Sequence, residues 1–334
     1  MKLAVFSTQP YDQQFFEQCR AAKAPQTLEI AYHSFPLSAE TVALASGCES
    51  ICVFVNDNLT EPVLEKLKML GVRAILLRCA GFNNVDLKAA ERLGFFVANV
   101  PSYSPEAVAE FAVTLVQTIN RNTHRAYNRV REGNFALDGL LGRTLHGKTV
   151  GVIGTGKIGI AFARIMKGYG CRIVAYDVYR NPDFDSLGQY KTLEEVLPLS
   201  DIVSLHCPLI DSTRHLINSR ALAQMKPGAL LVNTSRGGLI DTTAVIQALK
   251  SKRLRGLALD VYEAEAALFY SDHSSDIIQD DVFQRLMTFP NVIVCGHQGF
   301  FTEEALAEIA EVTFTNLEDY RHGRIGRNNI IGRN

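Results

Sequence analysis

Short β-branched runs alternate with helix-patterned stretches along almost the whole chain, and this alternation narrows the fold more than any other feature. In the first hundred residues the strand candidates are Lys2 to Ser7, Leu28 to Tyr32, Ile51 to Val55, Arg73 to Leu77 and Phe95 to Ala98. A second series runs through Thr149 to Ile153, Cys171 to Tyr176, Asp201 to His206, Ala229 to Asn233, Arg255 to Leu259 and Asn291 to Cys295. Strands separated by helices are joined by crossovers and lie parallel, so the pattern predicts an α/β protein with two doubly wound parallel sheets. The 334 residues are enough for two domains, each with its own core.

Ser104-Pro105 lies between the two series. A cap residue followed by proline opens a helix with apolar side chains at Val108, Phe111, Ala112, Leu115 and Ile119. After Cys295 a last amphipathic helix begins at Thr302, with its apolar stripe at Leu306, Ile309, Ala310, Leu317 and Tyr320. If that helix returns to the first sheet, residues 101–297 form a domain inserted into one built from 1–100 and 298–334. The tail carries Arg321, Arg324, Arg327 and Arg333 among glycines and reads as a solvated terminus.

Bulk properties exclude several classes. The formal net charge is −1, from 34 basic and 35 acidic residues, which gives no overall field to attract nucleic acid. The apolar start Leu3-Ala4-Val5-Phe6 is too short for a signal peptide and reads as a strand. No stretch approaches the roughly 18 apolar residues of a membrane span, so a cytoplasmic location is expected. Seven scattered cysteines with no C-x-x-C pair (Cys19, Cys48, Cys52, Cys79, Cys171, Cys207, Cys295) argue against disulfides or a metal site.

The strand Thr149 to Ile153 runs directly into Gly154-Thr155-Gly156-Lys157-Ile158-Gly159, and a helical pattern follows until Gly168 and Gly170. Gly154 permits a tight turn, Gly156 lets backbone N–H groups approach a pyrophosphate, and Gly159 lets the helix lie close to the strand. Asp177 ends the next strand, 18 residues beyond Gly159, where a carboxylate can accept hydrogen bonds from ribose hydroxyls and repel a 2′-phosphate. The cofactor expected is therefore NAD in a Rossmann domain. Gly151 to Lys157 also spells a phosphate-loop pattern, but Ile158 stands where Ser or Thr would hold magnesium. Arg180, three residues past Asp177, could accommodate a 2′-phosphate but reads more simply as a surface cation.

Three polar segments follow apolar strands in the second series: Asn233 to Gly238, Asp260 to Glu265, and Gly296-His297-Gln298. In an open parallel sheet the carboxyl ends of the strands face the ligand crevice. Hydride transfer to a 2-keto acid needs a proton donor for the carbonyl oxygen and a cation for the carboxylate, and these segments supply both residue types.

These segments, together with Arg78 to Asp86 and His206-Cys207-Pro208-Leu209, resemble the D-isomer-specific 2-hydroxyacid dehydrogenases over essentially the whole chain. Within that family, Lys2 to Thr8, Val55-Asn56-Asp57 and Ile277 to Phe283 look like the bacterial fermentative D-lactate dehydrogenases. The resemblance implies a flavodoxin-like substrate domain and an inserted Rossmann domain that binds NAD. It implies that Arg236 binds the substrate carboxylate, that His297 is the general acid and base, and that Glu265 hydrogen-bonds the imidazole and favours its charged form. It places Gly154, Thr155, Gly156, Lys157, Ile158, Gly159, Asp177, Cys207, Pro208, Asn233, Thr234 and Asp260 against the nucleotide. In the first domain Ala80 and Gly81 would offer backbone N–H groups to the substrate, with Arg78 nearby, while Tyr103 and Phe300 would line an apolar pocket for a methyl group. Pyruvate and D-lactate are the expected pair, and the assembly a homodimer or homotetramer. A glycerate, hydroxypyruvate or bulkier 2-keto acid enzyme is the alternative, followed by an NADH-sensing binding protein. The stretch Gln298 to Phe301 departs from many relatives and bears on pocket shape.

Overall fold

The computed structural model describes residues 1–23 and 28–331, and its chain divides into two compact units, Met1–Ser104 with Phe301–Asn334, and Pro105–Phe300. In the first unit the order is β1 (Lys2–Val5), α1 (Pro10–Lys23), β2 (Glu29–Tyr32), β3 (Ser50–Val53), α2 (Glu61–Met69), β4 (Ala74–Leu77), α3 (Leu87–Arg92) and β5 (Phe96–Ala98). All five strands are parallel, in the order β2-β1-β3-β4-β5. This is the flavodoxin-like order, with its reversal between β1 and β3. Strands β3 and β4 are buried at every residue, as their apolar runs Ile51 to Val53 and Ala74 to Leu77 require when both sheet faces are covered.

The second unit contains α4 (Pro105–Arg121), α5 (Thr123–Arg131), β6 (Thr149–Ile153), α6 (Lys157–Gly168), β7 (Arg172–Tyr176), β8 (Gln189–Tyr190), α7 (Leu193–Leu199) and β9 (Ile202–Leu205). It continues through α8 (Ser219–Gln224), β10 (Ala229–Asn233), α9 (Thr242–Lys250), β11 (Leu254–Leu259), α10 (Asp281–Met287) and β12 (Val292–Val294). Its seven parallel strands run β12-β11-β10-β9-β6-β7-β8, the Rossmann order extended by one strand. One core fills each face of the sheet. Val113, Val116, Phe162 and Met166 meet Val150 and Val232 on one side, and Val196, Leu222, Val245 and Leu249 meet Leu205 and Leu231 on the other.

The chain then returns to the first unit as α11 (Glu303–Arg321), started by Thr302, whose hydroxyl accepts from the Ala305 N–H at 3.2 Å. Ala310, Phe314 and Leu317 of α11 complete the core formed by Leu3, Val5, Phe16, Cys52, Leu76 and Ala98. Phe314 meets Phe16 edge-on at 5.8 Å. The strand candidates fall within two residues of the strands found. Strand β8 has no counterpart in the sequence reading, because two residues at a sheet edge leave no periodicity to detect.

The tail departs from the expectation of a solvated terminus. Asn329 bridges Ala98 and the Ile330 N–H donates to Val97 O at 2.9 Å, so the segment docks on β5. Asn328 and Asn329 are buried while Arg324 and Arg327 stay exposed. Arg333 lies outside the described residues. No helix among the described residues is long and apolar enough to cross a membrane.

Candidate active site

Strands β10, β11 and β12 are neighbours in register, with Asn233 beside Leu259 and Leu259 beside Val294. The three polar segments therefore leave the sheet at one level and one edge. Asp260 knits them together: its N–H donates to Asn233 O at 2.9 Å, and its carbonyl accepts from the His297 N–H at 2.7 Å. Its carboxylate accepts from the Gln298 and Gly299 N–H groups, both at 2.8 Å. Burial pushes the Asp260 carboxyl above the usual carboxylate range, while the charge of His297 and these two N–H donors oppose that rise. Asp260 thus holds the turn that carries His297.

His297 Nδ1 lies 2.9 Å from Glu265 Oε1. The other oxygen of Glu265 accepts from the Tyr262 N–H at 2.8 Å, so the carboxylate cannot swing away without losing that bond. An ionised carboxylate only accepts, so Nδ1 carries a hydrogen and Nε2 is the ring atom left to exchange a proton. His297 has φ +57°, a left-handed backbone conformation that ends the extended run of β12. Phe300, buried, meets the imidazole edge-on at 6.5 Å, and the Tyr270 hydroxyl donates to His297 O at 3.4 Å. Tyr270 was not legible as a site residue, because it belongs to a loop with no periodicity.

The segment after β10 is shaped by Asn233, whose amide donates to Arg236 O at 2.8 Å and whose carbonyl oxygen accepts from the Ser235 N–H at 3.0 Å. Ser235 Oγ donates to Cys207 O at 2.7 Å, and Arg236 is partly exposed, with Nη1 donating to Ser235 O at 2.7 Å. A side chain at Gly237 would place its Cβ 2.1 Å from the Tyr262 carbonyl carbon, so glycine is what lets the Arg236 and Glu265 loops approach. Thr234 Oγ1 is buried with no hydrogen-bond partner among the described residues.

The glycine turn fits a dinucleotide. Gly154 has φ +99°, and a Cβ there would lie 2.6 Å from the His206 carbonyl carbon. A Cβ at Gly159 would lie 2.0 Å from Gly154 O, whereas one at Gly156 would meet nothing within 4 Å. Two glycines are thus demanded by the protein's own packing, and the third leaves open space at the N-terminus of the 12-residue α6. Lys157 and Ile158 form the first turn of that helix. Asp177 Oδ2 accepts from the Thr155 N–H at 2.6 Å and from Thr155 Oγ1 at 3.1 Å. Cys207 and Pro208 follow the end of β9, and burial pushes the Cys207 thiol up to about 11.

In the first unit, the guanidinium of Arg78 is turned inward. It is 2% exposed, donates to Phe6 O at 2.9 Å and Ser7 O at 2.7 Å, pairs with Asp12 at 3.3 Å, and lies over the Phe54 ring. Arg78 is a cation that ties the ends of β1 and β4, next in sequence to the Cys79 to Gly81 turn. The next residues differ: Ala80 O accepts from Asn99 at 2.9 Å and Gly81 O from Cys79 Sγ at 3.2 Å, which holds the turn through its carbonyls. Tyr103 is half-buried in the segment after β5.

Residues 113–299 match the model of the D-isomer specific 2-hydroxyacid dehydrogenase NAD binding domain. The chain is 64% identical to 2-hydroxyacid dehydrogenase A of Aspergillus oryzae, over 99% of this chain and 95% of that protein. It is 61% identical to D-lactate dehydrogenase kk1H of Curvularia clavata, over 100% and 97%. Against the apo-structure of D-lactate dehydrogenase from Escherichia coli the TM-score is 0.90 at 48% identity, covering 99% of this chain and 100% of that one. With a dinucleotide turn, an Asp177 carboxylate and a His297–Glu265 pair already in place, the chain belongs to the D-isomer-specific 2-hydroxyacid dehydrogenase family and is an NAD-dependent enzyme of that family.

Proposed function

We propose that this enzyme interconverts pyruvate and D-lactate. The observation that carries the reading is the hydrogen bond between Glu265 and His297 Nδ1, which leaves Nε2 as the proton-exchanging atom beside a buried phenylalanine. NAD, when bound, supplies or accepts the hydride. Arg236 binds the substrate carboxylate as a bidentate donor, a task that suits a guanidinium better than an ammonium. His297 Nε2 gives its proton to the carbonyl oxygen during reduction and takes it back during oxidation. The positive charge left on the ring before transfer is balanced by Glu265, which also fixes the tautomer. Phe300, packed against the His297 ring, favours a methyl side chain over a polar one. The Ala80 and Gly81 amides are the remaining proposed donors to the substrate, so residues 1–100 with 298–334 serve the substrate and 101–297 the nucleotide.

A homodimer or homotetramer completes the reading. Helix α5 buries none of its residues, and Phe135, Leu137 and Leu141 in the following segment are each more than 70% exposed. Apolar area of that kind is what a second copy of the chain covers.

Initial rates with NADH against pyruvate, hydroxypyruvate and phenylpyruvate, followed by chiral analysis of the product, test the assignment. Pyruvate should give the highest kcat/KM and the D isomer. A large preference for hydroxypyruvate or phenylpyruvate would move the enzyme elsewhere in its family, and binding of NADH without turnover of any 2-keto acid would make it a sensor.

A further inference from the structure

The carboxylate of Asp177 does not stand alone. Thr155 Oγ1, in a side chain 1% exposed, lies 3.1 Å from Asp177 Oδ2 and 2.8 Å from the Tyr190 hydroxyl. The Tyr190 hydroxyl in turn accepts from the Asn181 N–H at 2.9 Å. A carboxylate only accepts, so Thr155 gives its one hydroxyl hydrogen to Asp177 and receives that of Tyr190 at 2.8 Å, the shorter of the two acceptors in reach of the tyrosine, Asn181 O lying at 3.3 Å. The Asn181 amide supplies the far end. Asp177 Oδ1 accepts from the Tyr179 N–H at 3.0 Å, and the Thr155 N–H adds a second donor to Oδ2 at 2.6 Å. The carboxylate is thereby held at both oxygens, with three donors on its roughly four lone-pair sites and one site left on Oδ1 for a ribose hydroxyl.

Tyr190 is also fixed by its two faces. Its ring packs on buried Phe184 at 4.8 Å, and the guanidinium of Arg180 lies over it at 5.5 Å. Arg180 is the nearest cation in sequence to Asp177, and an exposed one, so it is the side chain able to receive a 2′-phosphate if released. The same tyrosine therefore holds both halves of the cofactor choice: its hydroxyl orders the carboxylate that favours NAD, and its ring retains the cation that NADP would use.

We propose that Tyr190 is a specificity-determining positioning residue for NAD over NADP, acting through Thr155 on Asp177 and through its ring on Arg180. The proposal rests on Asp177 as the ribose carboxylate. The test measures kcat and KM for NADH and NADPH with a saturating keto acid, and NADH affinity by fluorescence titration. Tyr190→Phe, which removes only the hydroxyl, should raise KM for NADH about threefold to tenfold, the size of one polar hydrogen bond, with kcat and NADPH kinetics little changed. Tyr190→Leu, which also frees Arg180, should in addition lower KM for NADPH, and Arg180→Ala in that background should abolish the gain. Thr155→Val should reproduce the Tyr190→Phe effect if the tyrosine variants fold poorly.

The outcomes separate the proposal from the reading beneath it. If Asp177→Ala leaves the NADH to NADPH ratio unchanged, the ribose assignment is wrong. If Asp177→Ala shifts the ratio while Tyr190→Phe and Thr155→Val do not, Asp177 stands and the relay is overturned. A fall in keto-acid affinity of the same size in the tyrosine variants would show a general structural role and also overturn it.

Discussion

His297 adopts a left-handed backbone conformation that histidine, asparagine and aspartate tolerate far better than most residues. Asparagine is therefore the substitution that tests the chemistry rather than the turn. His297→Asn should lower kcat by about 10²- to 10⁴-fold, the usual contribution of a positioned acid and base, and leave NADH affinity unchanged. Stopped-flow turnover with fluorescence titration checks both, and full activity would remove His297 from the mechanism. A second histidine titrates for structural reasons. His206, packed on the Phe162 ring at 4.8 Å, is pulled down to about 3 by desolvation. The unfolded chain takes up this proton near pH 6.5 and the folded one does not, so stability is complete above that pH and falls as the solution is acidified. The slope is at most about 1.4 kcal/mol per pH unit between pH 6.5 and pH 4. Urea titrations at pH 7 and pH 5.5 should differ by about 1 kcal/mol more in the native protein than in His206→Asn. At this scale the sequence named His297 and Glu265 because each follows a strand end and matches a family pattern. It did not reveal the inward turn of Arg78, since a cation after a strand looks the same from sequence whether it faces a ligand or a sheet interior.

The loops and first turns around the second sheet divide into parts set by packing and parts left open. Gly159 is forced by the approach of α6 to Gly154 O at 2.0 Å from a would-be Cβ, while Gly156 faces empty space. Gly159→Ala should destabilise the fold by about 1–3 kcal/mol through overpacking, with NADH binding weakened as a consequence. Gly156→Ala should leave the thermal midpoint of the nucleotide-free protein within about 1 °C and yet weaken NADH at least tenfold, because the methyl intrudes only when a pyrophosphate is present. Differential scanning calorimetry with and without NADH distinguishes them, and equal midpoint losses would contradict the division. The other strands were legible because short β-branched and apolar runs alternate with helical periodicity along the chain. Strand β8 was not, although it carries Tyr190 and the hydroxyl that reaches Thr155.

At the scale of the whole molecule, the three cores described above draw on separate stretches of chain. The two that flank the seven-strand sheet come from 105–300, and the one closed by α11 comes from outside it. Residues 105–300 expressed alone should therefore give a cooperative thermal transition and bind NADH, while turning over no keto acid. A chain that stays unfolded in circular dichroism would show that the unit depends on its flanks. The exposed Phe135, Leu137 and Leu141 lead to a second expectation, that Leu141→Glu shifts sedimentation toward a single copy; an unchanged distribution would place the contact elsewhere. Sequence alone suggested the return of the last helix without establishing it, because an amphipathic stripe specifies that a face is covered but not by which sheet.

The return of α11 also sets an order of events on the ribosome. The five-strand sheet emerges first, yet Ala310, Phe314 and Leu317, which close its core, are translated only after all 196 residues of 105–300 have passed. The nascent N-terminal segment must wait with an apolar face uncovered while the middle of the chain folds, which at about 5–20 residues per second is an interval of roughly ten to forty seconds. A chain released before α11 is complete would leave that face in solvent, so production of this enzyme should depend on factors that shield nascent chains more than its final stability suggests.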